Sequence, residues 1–293
     1  MIFKDKTVIV TGGSEGVGAA AARLFAEAGA NLMLVARNRK NLEAIAAELR
    51  DKARVAIFPM DVSDADSCTD LIKKTLFEFG RIDVLVNNAG FHARGNVESV
   101  TADDLARTID VNLRAPIMLM RLVLPHVREN GGGAIINVAS LAGRTPVPGS
   151  AAYSASKFGL RAFTFSLAEE IRDSGIKLAV VSPGPIATQF ILDDIDKTSD
   201  LTFSQPMSSA EEVAQVILDL CGNNQREQAI PAMSGVLTTL AYLMPWLGRA
   251  LRPALERKGN RVKKELKAKA RAARSENGSE KLAARRGEMR AAG

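Results

Sequence analysis

The stretch that decides the fold is "TVIVTGGSEGVGAAAARLFAEAG" (7–29), near the start of this 293-residue chain. It begins with an uninterrupted apolar run, 7–11, which is typical of a strand buried on both faces of a sheet. A glycine turn, 11–18, follows, and then a helical pattern that Gly29 closes. A strand, a glycine-rich turn and a helix in this order predict a unit that binds a dinucleotide phosphate.

The alternation of short apolar runs and amphipathic stretches continues along the chain. We expect further strands at 31–36, 54–60, 83–90, 133–140, 176–184 and 228–231. We expect the other helices at 39–52, 64–79, 101–129, 151–173 and 209–222. This order predicts an α/β fold: a Rossmann-like, doubly wound parallel sheet of about seven strands with helices on both faces.

Charge is distributed unevenly along the chain. Residues 257–293 contain 13 Lys/Arg and 4 Asp/Glu, whereas the rest contains 26 basic and 29 acidic residues. The basic character therefore belongs to a helical C-terminal extension. We divide the chain into a catalytic domain, 1–232, and an extension, 233–293. In the extension an apolar segment, 235–248, precedes a basic and partly disordered tail.

Composition excludes several kinds of site. Cys68 and Cys221 lie far apart without a CxxC pair, so we expect neither a disulfide framework nor a zinc site. With only His92 and His126 as histidines, we expect no metal. The N-terminus lacks a secretion signal, and no apolar run reaches the roughly 18 residues of a membrane span. These features predict a cytoplasmic location.

The glycine turn is the predicted cofactor site. Gly12, Gly16 and Gly18 stand where a side chain would block close approach of the backbone, and Ser14 lies between them. The helix N-terminus behind the turn offers N–H groups and a positive dipole end to a phosphate. The alternative interpretation is a tight turn without a ligand.

The end of the second predicted strand indicates which dinucleotide is used. An acidic residue there would favour NAD(H), but this chain has Ala36 followed by Arg37. A guanidinium pairs well with a 2′-phosphate, so we expect NADP(H) rather than NAD(H). Glu15 would repel that phosphate if it pointed inward, and Arg37 as a plain solvated residue is the alternative.

A tyrosine and a lysine stand four residues apart in "AAYSASKFGL" (151–160). Tyr153 and Lys157 share one helix face, and a nearby ammonium lowers the pKa of a phenol. Such a pair by itself is usually ordinary helix surface. Ser140, just upstream at the end of a predicted strand, and the glycine turn favour a catalytic interpretation instead.

Taken together, these motifs resemble the short-chain dehydrogenase/reductase family. "TGGSEGVG" (11–18) matches its TGxxxGxG turn and "NNAG" (87–90) matches its fourth-strand motif. "YSASK" (153–157) and "PGPIAT" (183–188) match its catalytic motif and its PGxxxT segment. The motifs occur in the family's order and spacing over 7–190.

The resemblance implies a role for each member of a catalytic tetrad. Ser140 would polarise the substrate oxygen, and Tyr153 would act as general acid or base. Lys157 would bind the nicotinamide ribose and lower the pKa of Tyr153, and Asn112 would anchor a proton-relay water chain. The resemblance also implies contacts with adenine, with the adenosine side and with the nicotinamide carboxamide. These contacts belong, in that order, to Asp61 and Val62; to Asn88, Ala89 and Gly90; and to Ile186 and Thr188.

The segment 190–208 has the position of the family's substrate lid. It is fairly apolar, which predicts a hydrophobic or lipid-like ketone or alcohol as substrate. The alternative is that its apolar side chains only pack the lid onto the body. They are Phe190, Ile191, Leu192, Ile195, Leu201 and Phe203.

The extension suggests an amphipathic, polybasic element at the inner face of a membrane. Alternatively, 236–255 packs on the body or on a second subunit. The family favours a homo-oligomer, dimer or tetramer. Because the basic tail lacks interleaved aromatic residues, we expect no nucleic acid partner.

The sequence therefore predicts an NADP(H)-dependent oxidoreductase that interconverts a ketone and a secondary alcohol. A cofactor-retaining epimerase or dehydratase is the alternative among enzymes. A non-catalytic dinucleotide-binding regulatory protein, with a basic arm contacting nucleic acid, is the alternative from another class. The complete tetrad argues against that last interpretation.

Overall fold

The computed structural model describes residues 3–192 and 194–291, without the side chains of 189, 192 and 269–291. The strands are β1 (Thr7–Thr11), β2 (Asn31–Ala36), β3 (Val55–Pro59), β4 (Val84–Asn87), β5 (Gly133–Val138), β6 (Ile176–Pro183) and β7 (Glu227–Ile230). The helices are α1 (Gly16–Glu27), α2 (Arg39–Leu49), α3 (Ala65–Phe79), α4 (Ala102–Ile109), α5 (Ala115–Glu129), α6 (Ala151–Glu170), α7 (Gln189–Leu192), α8 (Ala210–Gly222), α9 (Ala232–Leu243) and α10 (Pro245–Ala291).

The predicted doubly wound sheet is confirmed. Within the described residues, the strands form one seven-stranded sheet in the order β3-β2-β1-β4-β5-β6-β7. Neighbouring strands pair in parallel throughout. The strand order reverses between β1 and β4, and sheets of this kind bind ligands at the carboxyl ends of the strands beside that switch point.

Both faces of the sheet are covered, which explains why the strands are apolar throughout. On β1, Val8 and Val10 point into one core layer together with Phe25 of α1. Ile9 points into the opposite layer together with Leu119 of α5. All five side chains are completely buried, so neither face of this strand tolerates a polar side chain.

The predicted helix over 101–129 is not continuous. A π-helical turn, Asp110–Arg114, separates α4 from α5 and carries Asn112. A π turn inserts one extra residue into the helix and is often found at functional sites. The long helical pattern does not reveal this change of local geometry.

The extension packs against the predicted lid. A Cβ at Gly259 of α10 would overlap the carbonyl oxygen of Asp200, so only glycine allows this close crossing. Asn260 Nδ2 donates to Asp200 Oδ2 at 2.9 Å, and Lys263 Nζ donates to the Thr198 carbonyl at 2.7 Å. The first part of the basic helix thus brings cationic and amide groups against the acidic lid.

Helix α9 has one face on the body and one in solvent. Ser234, Gly235 and Thr238 are buried, whereas Leu243 is 69% exposed. Among the described residues, no helix combines the length and the hydropathy that a membrane span requires. Helix α10 continues to Ala291. The side chains of 269–291 lie outside the described part of the structure, so the partial disorder that we expect for the basic tail stays a prediction.

Candidate active site

A cavity of about 1520 Å³ lies along the carboxyl ends of the strands. Most of the residues that the sequence singled out border it. They are Gly12, Ser14, Gly16, Arg37, Asp61, Val62, Asn88, Ala89, Gly90, Ser140, Tyr153, Lys157, Ile186 and Thr188. Gly18 and Asn112 lie behind this wall and support it.

The glycine turn is shaped by close contacts within the protein. Gly12 has φ +65°, and a Cβ there would lie 2.7 Å from Nδ2 of Asn88. A Cβ at Gly18 would overlap the carbonyl oxygen of Gly12. The turn therefore requires glycine at both positions, since a side chain at Gly18 would push α1 away from the turn and one at Gly12 would collide with the end of β4.

The N-terminus of α1 suits a dinucleotide phosphate. Among the described residues, no side chain accepts a hydrogen bond from its first N–H groups, because the N-cap residue Glu15 does not cap them. Ser14, Gly16 and Val17 border the cavity at this helix end. Exposed N–H donors and the positive end of the helix dipole fit an anionic pyrophosphate.

Asp61 and Arg37 lie at the far end of the cavity, after β3 and β2. Asp61 accepts hydrogen bonds from Ser63 and, at 3.1 Å, from Nη2 of Arg107. Burial raises the pKa of Asp61, but the bonds from Ser63 and the charges of Arg107 and Arg37 outweigh it, so the pKa is lowered. Asp61 is therefore an anion close to the exposed guanidinium of Arg37.

Asn88 braces the glycine turn. Its Nδ2 donates to the carbonyl oxygens of Thr11 and Gly12, at 3.0 and 3.3 Å. The N–H groups of Asn88 and Ala89 both donate to Oγ1 of Thr11, at 2.9 and 3.0 Å. The amide side chain thus locks the end of β4 against the end of β1, and it also borders the cavity.

The segment that follows β6 completes the wall of the glycine turn. Ile186 forms a β-bridge with Ser208 of the lid, and the Ala187 N–H donates to the Ser208 carbonyl at 3.0 Å. Thr188 lies beside the turn, since a Cβ at Gly16 would come within 3.3 Å of its Cγ2. Both predicted carboxamide contacts, Ile186 and Thr188, are therefore held next to the mouth of the turn.

Asn112 is completely buried, and its side chain is committed to other protein groups. Its Oδ1 accepts from the Phe91 N–H at 2.8 Å, and its Nδ2 donates to the Phe91 carbonyl at 2.7 Å. Nδ2 also lies 3.2 Å from Oγ of Ser156 on α6. In this structure Asn112 fastens the loop after β4 to α6, and its role in a water chain stays a prediction.

Tyr153 and Ser140 border the same cavity, and the Ser140 side chain lies close enough to the phenol to influence its pKa. Burial raises the pKa of Tyr153, while the Ser140 side chain and the positive charge of Arg94 act against it. The net direction is upward. Arg94 is thus a second cation besides Lys157 at this tyrosine, and the lowering of the Tyr153 pKa by Lys157 stays a prediction.

Lys157 is a buried cation next to the same tyrosine. Its Nζ donates to the Val138 carbonyl at 2.8 Å and lies 5.7 Å from the centroid of the Tyr153 ring. Burial lowers the pKa of Lys157 to about 8. An ammonium has three donors, so two N–H groups besides the one on Val138 can serve a ligand in the cavity.

Two residues that the sequence analysis did not assign complete the site. The His92 ring stacks on the Tyr153 ring with centroids 4.1 Å apart. Nη1 of Arg94 donates to Nδ1 of His92 at 2.9 Å, and Nε2 lies 3.1 Å from Oγ of Ser150. Because arginine has only donors, Nδ1 accepts and the ring proton is on Nε2. Burial and the Arg94 charge lower the pKa of His92 to about 3, so the ring is neutral.

One sequence signal points to this pair. His92 and Arg94 directly follow the "NNAG" motif (87–90), where β4 ends beside the switch point of the sheet. Polar residues in a loop at that position are candidates for ligand contacts. The sequence of the loop contains no motif that distinguishes His92 and Arg94 from ordinary solvated residues.

Comparison with known proteins gives consistent matches. The family model for short chain dehydrogenases matches residues 6–198. An uncharacterized oxidoreductase of Staphylococcus saprophyticus is 38% identical over 202 residues, 68% of this chain and 82% of the relative. Dehydrogenase/reductase SDR family member 7B of Mus musculus is 31% identical over 271 residues, 87% of this chain and 84% of the relative.

A solved structure shares the fold as well. A metagenomic short-chain oxidoreductase in complex with NADP has a TM-score of 0.67 and 31% sequence identity. The match covers 78% of this chain and 98% of that one. The family match includes every predicted site residue, from Gly12 to Thr188.

Proposed function

The chain belongs to the short-chain dehydrogenase/reductase family, and from this premise we propose an NADP(H)-dependent oxidoreductase that interconverts a hydrophobic, lipid-like ketone and its secondary alcohol. One observation carries the proposal. Ser140, Tyr153 and Lys157 border the same cavity as the glycine turn. Proton-handling groups and a phosphate-binding turn on one cavity support hydride transfer to or from an oxygen-bearing carbon.

The residues divide the chemistry as follows. A bound nicotinamide cofactor supplies or accepts the hydride. Oη of Tyr153 donates a proton to the substrate oxygen in reduction and accepts it in oxidation. The Ser140 hydroxyl donates a hydrogen bond to the same oxygen and stabilises its developing charge. Lys157, held by the Val138 carbonyl, offers its remaining N–H groups to ribose hydroxyls.

Three observations support a preference for NADP(H). Ala36 ends β2 and Arg37 follows it, at the position where an acidic residue would favour NAD(H). Arg37 is exposed and borders the cavity, so its guanidinium is available to a 2′-phosphate. The metagenomic structural relative is in complex with NADP. Glu15 is also exposed at the cavity, and its carboxylate works against this preference.

The lining of the cavity supports a hydrophobic substrate. Beyond Tyr153, the lid and the extension contribute apolar side chains to the wall. They include Phe190, Leu201, Leu237, Leu240, Leu247 and Leu251. Such a surface gains free energy by covering an apolar chain, about 25 cal/mol for each Å² removed from water.

The extension supports a peripheral membrane association, which we propose for a cytoplasmic protein at the inner face of a membrane. Val236, Leu243 and Trp246 are all more than half exposed and adjoin the basic helix α10. Apolar side chains next to cations are typical of an interfacial element. The alternative is that this face covers a second subunit, and the homo-oligomer expected for the family stays a prediction.

The experiment is NADPH oxidation by the full-length chain with a panel of lipid-like ketones. We expect turnover with at least one ketone, and Tyr153→Phe to lower kcat by about a hundredfold or more. NADPH binding, measured by fluorescence, should persist in that variant. Phe77→Leu changes an exposed aromatic side chain that does not border the cavity and should retain activity. Substrate conversion without net NADPH consumption would contradict the proposal and favour an epimerase.

A further inference from the structure

Arg94 is a buried arginine in the substrate half of the cavity. Its side chain is only 6% exposed. Nη1 donates to Nδ1 of His92 at 2.9 Å, and Nη2 donates to the Phe190 carbonyl at 2.8 Å. Both acceptors are neutral, so these bonds hold the guanidinium in place without neutralising its charge.

The guanidinium retains an unused donor. Nε of Arg94 is buried and has no hydrogen-bond partner among the described residues. Among the described residues, the nearest carboxylate oxygen is Oδ2 of Asp194, 3.7 Å from Nε, which is within ion-pair distance but too far for a hydrogen bond. Asp194 is 43% exposed and also faces Lys197 at 3.9 Å. A buried cation with a free donor and a distant, shared counter-ion is costly unless a further acceptor meets it.

Apart from Asp194, the described residues that line the cavity around Arg94 add no negative charge. We define the substrate half as the lining residues within 91–94, 145–150, 190–205 and 237–255. The described residues of that half include no carboxylate. The carboxylates on the wall belong to Glu15, Asp61 and Glu211, which lie at or near the glycine turn, β3 and α1. The cations of the substrate half are Arg94, which is buried beside the reacting group, and the exposed Arg249 and Arg252 of the extension, while most of its other lining side chains are apolar.

The position of the cation relative to the chemistry is defined by His92. One face of that ring stacks on Tyr153, with centroids 4.1 Å apart, and its Nδ1 accepts from Arg94. The guanidinium therefore lies one ring away from the phenol. An acceptor bound by Arg94 would belong to the same small molecule as the oxygen held by Tyr153, within a few bonds of it.

We propose that Arg94 binds an anionic group of the substrate, so that the substrate class is an oxo acid with an apolar chain: a carbonyl a few bonds from a carboxylate, phosphate or sulfonate. This inference rests on the proposed function and narrows its substrate. The apolar chain covers the surface formed by the lid and the extension. The anion faces Arg94 where that residue borders the cavity, and it completes the charge compensation that Asp194 supplies only in part.

A binding experiment tests the anion site without catalysis. Calorimetry compares decanoate with decanol on the full-length chain, on Arg94→Gln and on Arg94→Lys. We expect wild type to bind decanoate about tenfold or more tightly than decanol, since a charged hydrogen bond is worth about 1.5–3 kcal/mol. Gln should abolish the preference, and Lys should retain part of it. Decyl phosphate and decyl sulfonate show which anion fits best.

The contrary outcomes are distinct. Equal affinities of wild type for decanoate and decanol would overturn the proposal. Equal loss of affinity for decanoate and decanol in Arg94→Gln would also overturn it. That result would mean that Arg94 only fastens the loop after β4 to the Phe190 carbonyl. Thermal unfolding of each variant shows whether a change in affinity comes from lost stability. If Arg94→Gln is destabilised, the deciding comparison is whether Arg94→Lys still binds decanoate more tightly than decanol.

A turnover experiment separates this inference from the proposed function. NADPH oxidation is measured with 4-oxodecanoate and with its neutral methyl ester. Wild type should favour the acid in kcat/KM by about tenfold or more, mainly through KM, and Arg94→Gln should lose that selectivity. Turnover of both compounds without selectivity would overturn the anion site alone. A decanoate preference without any ketone turnover would support the site and contradict the oxidoreductase.

Discussion

The His92 ring lies flat against the Tyr153 ring, at 14° between planes and 4.1 Å between centroids. The stack joins the loop after β4 to helix α6. His92 itself is held on both sides, by Arg94 at Nδ1 and by Ser150 at Nε2. The general acid of the proposed reaction is therefore oriented by a neutral aromatic ring.

Removing the ring should loosen Tyr153 without affecting the cofactor. We expect His92→Ala to lower kcat by up to about tenfold, which corresponds to the 0.5–1.5 kcal/mol of an aromatic pair. The Kd for NADPH should stay unchanged. His92→Phe keeps a ring in the stack and should lose less activity than His92→Ala. Equal losses in the two variants would show that the hydrogen bonds of His92 matter and the stack does not.

The pH dependence of ketone reduction should have no limb caused by titration of His92. With a pKa of about 3, His92 stays neutral over the working range, so ketone reduction should be level between about pH 5.5 and 7.5. Tyr153, whose pKa is raised, stays protonated there and can donate. The rate should fall above about pH 8, where Lys157 loses its proton. Oxidation of the alcohol needs the phenolate and should instead rise with pH through neutrality.

This profile is measured as kcat/KM for the full-length chain in both directions. An acidic limb near pH 6.5 that disappears in His92→Phe would mean that His92 titrates at its ordinary pKa. That result would contradict the burial that we describe for the ring.

The nucleotide preference should depend on Arg37. We expect Arg37→Ala to raise the KM for NADPH by about tenfold or more and to leave the KM for NADH nearly unchanged, because only NADPH carries the 2′-phosphate. Steady-state kinetics with both cofactors measure this. Arg39→Ala is the matched control, since Arg39 is exposed nearby and pairs with Glu43 at 2.9 Å. An unchanged preference in Arg37→Ala would exclude our assignment.

Asp83 should be important for stability. Its carboxylate is almost completely buried and accepts from Lys6, from the Thr7 N–H and from Arg81. Removing a buried ionic partner costs about 3–5 kcal/mol, and we expect the lower end for Asp83→Asn because Lys6 and Arg81 are partly exposed. Urea denaturation at pH 7 measures the loss. Asp70→Asn, an exposed control, should lose at most about 1 kcal/mol.

The difference in stability between wild type and Asp83→Asn should depend on pH. Burial raises the pKa of Asp83, but the bonds from Arg81, Thr7 and Lys6 outweigh it, so the folded-state pKa is below 3.8. The stabilisation by Asp83 is therefore complete above pH 3.8 and is lost as the pH falls through the folded value. The gap between wild type and Asp83→Asn should narrow in that acidic window. A gap that is constant down to pH 2 would contradict the assigned direction.

The exposed apolar face should bind anionic vesicles. We expect the double variant Leu243→Glu, Trp246→Glu to sediment much less with phosphatidylserine-containing vesicles than wild type does. Phe77→Glu is the matched control, because Phe77 is 82% exposed on α3, outside the extension. The alternative is that this face covers a second subunit. In that case wild type should not sediment with the vesicles, and the double variant should have a lower assembly mass in solution than wild type.

Local patterns predicted most of the architecture because each depends on neighbours in the chain. The apolar runs of β1 and β5 and the glycine turn at Gly12 can be recognised from adjacent residues alone, without knowledge of their tertiary contacts. The π-helical turn at Asn112 could not be predicted, since its residues continue an ordinary helical pattern. The crossing of Gly259 over Asp200 could not be predicted either, because a glycine inside a helix has no pattern that names its partner.

The sequence by itself determined the sheet, the glycine turn and the identity of the candidate proton donor, since strand periodicity and motif spacing are local properties. Only the tertiary structure decided what surrounds that donor. Arg94 bonds to Phe190, 96 residues away in the chain, and is joined to Tyr153 through the His92 ring. The charge beside the reacting oxygen therefore arises where the loop after β4, helix α6 and the lid converge, and only packing brings these three segments together.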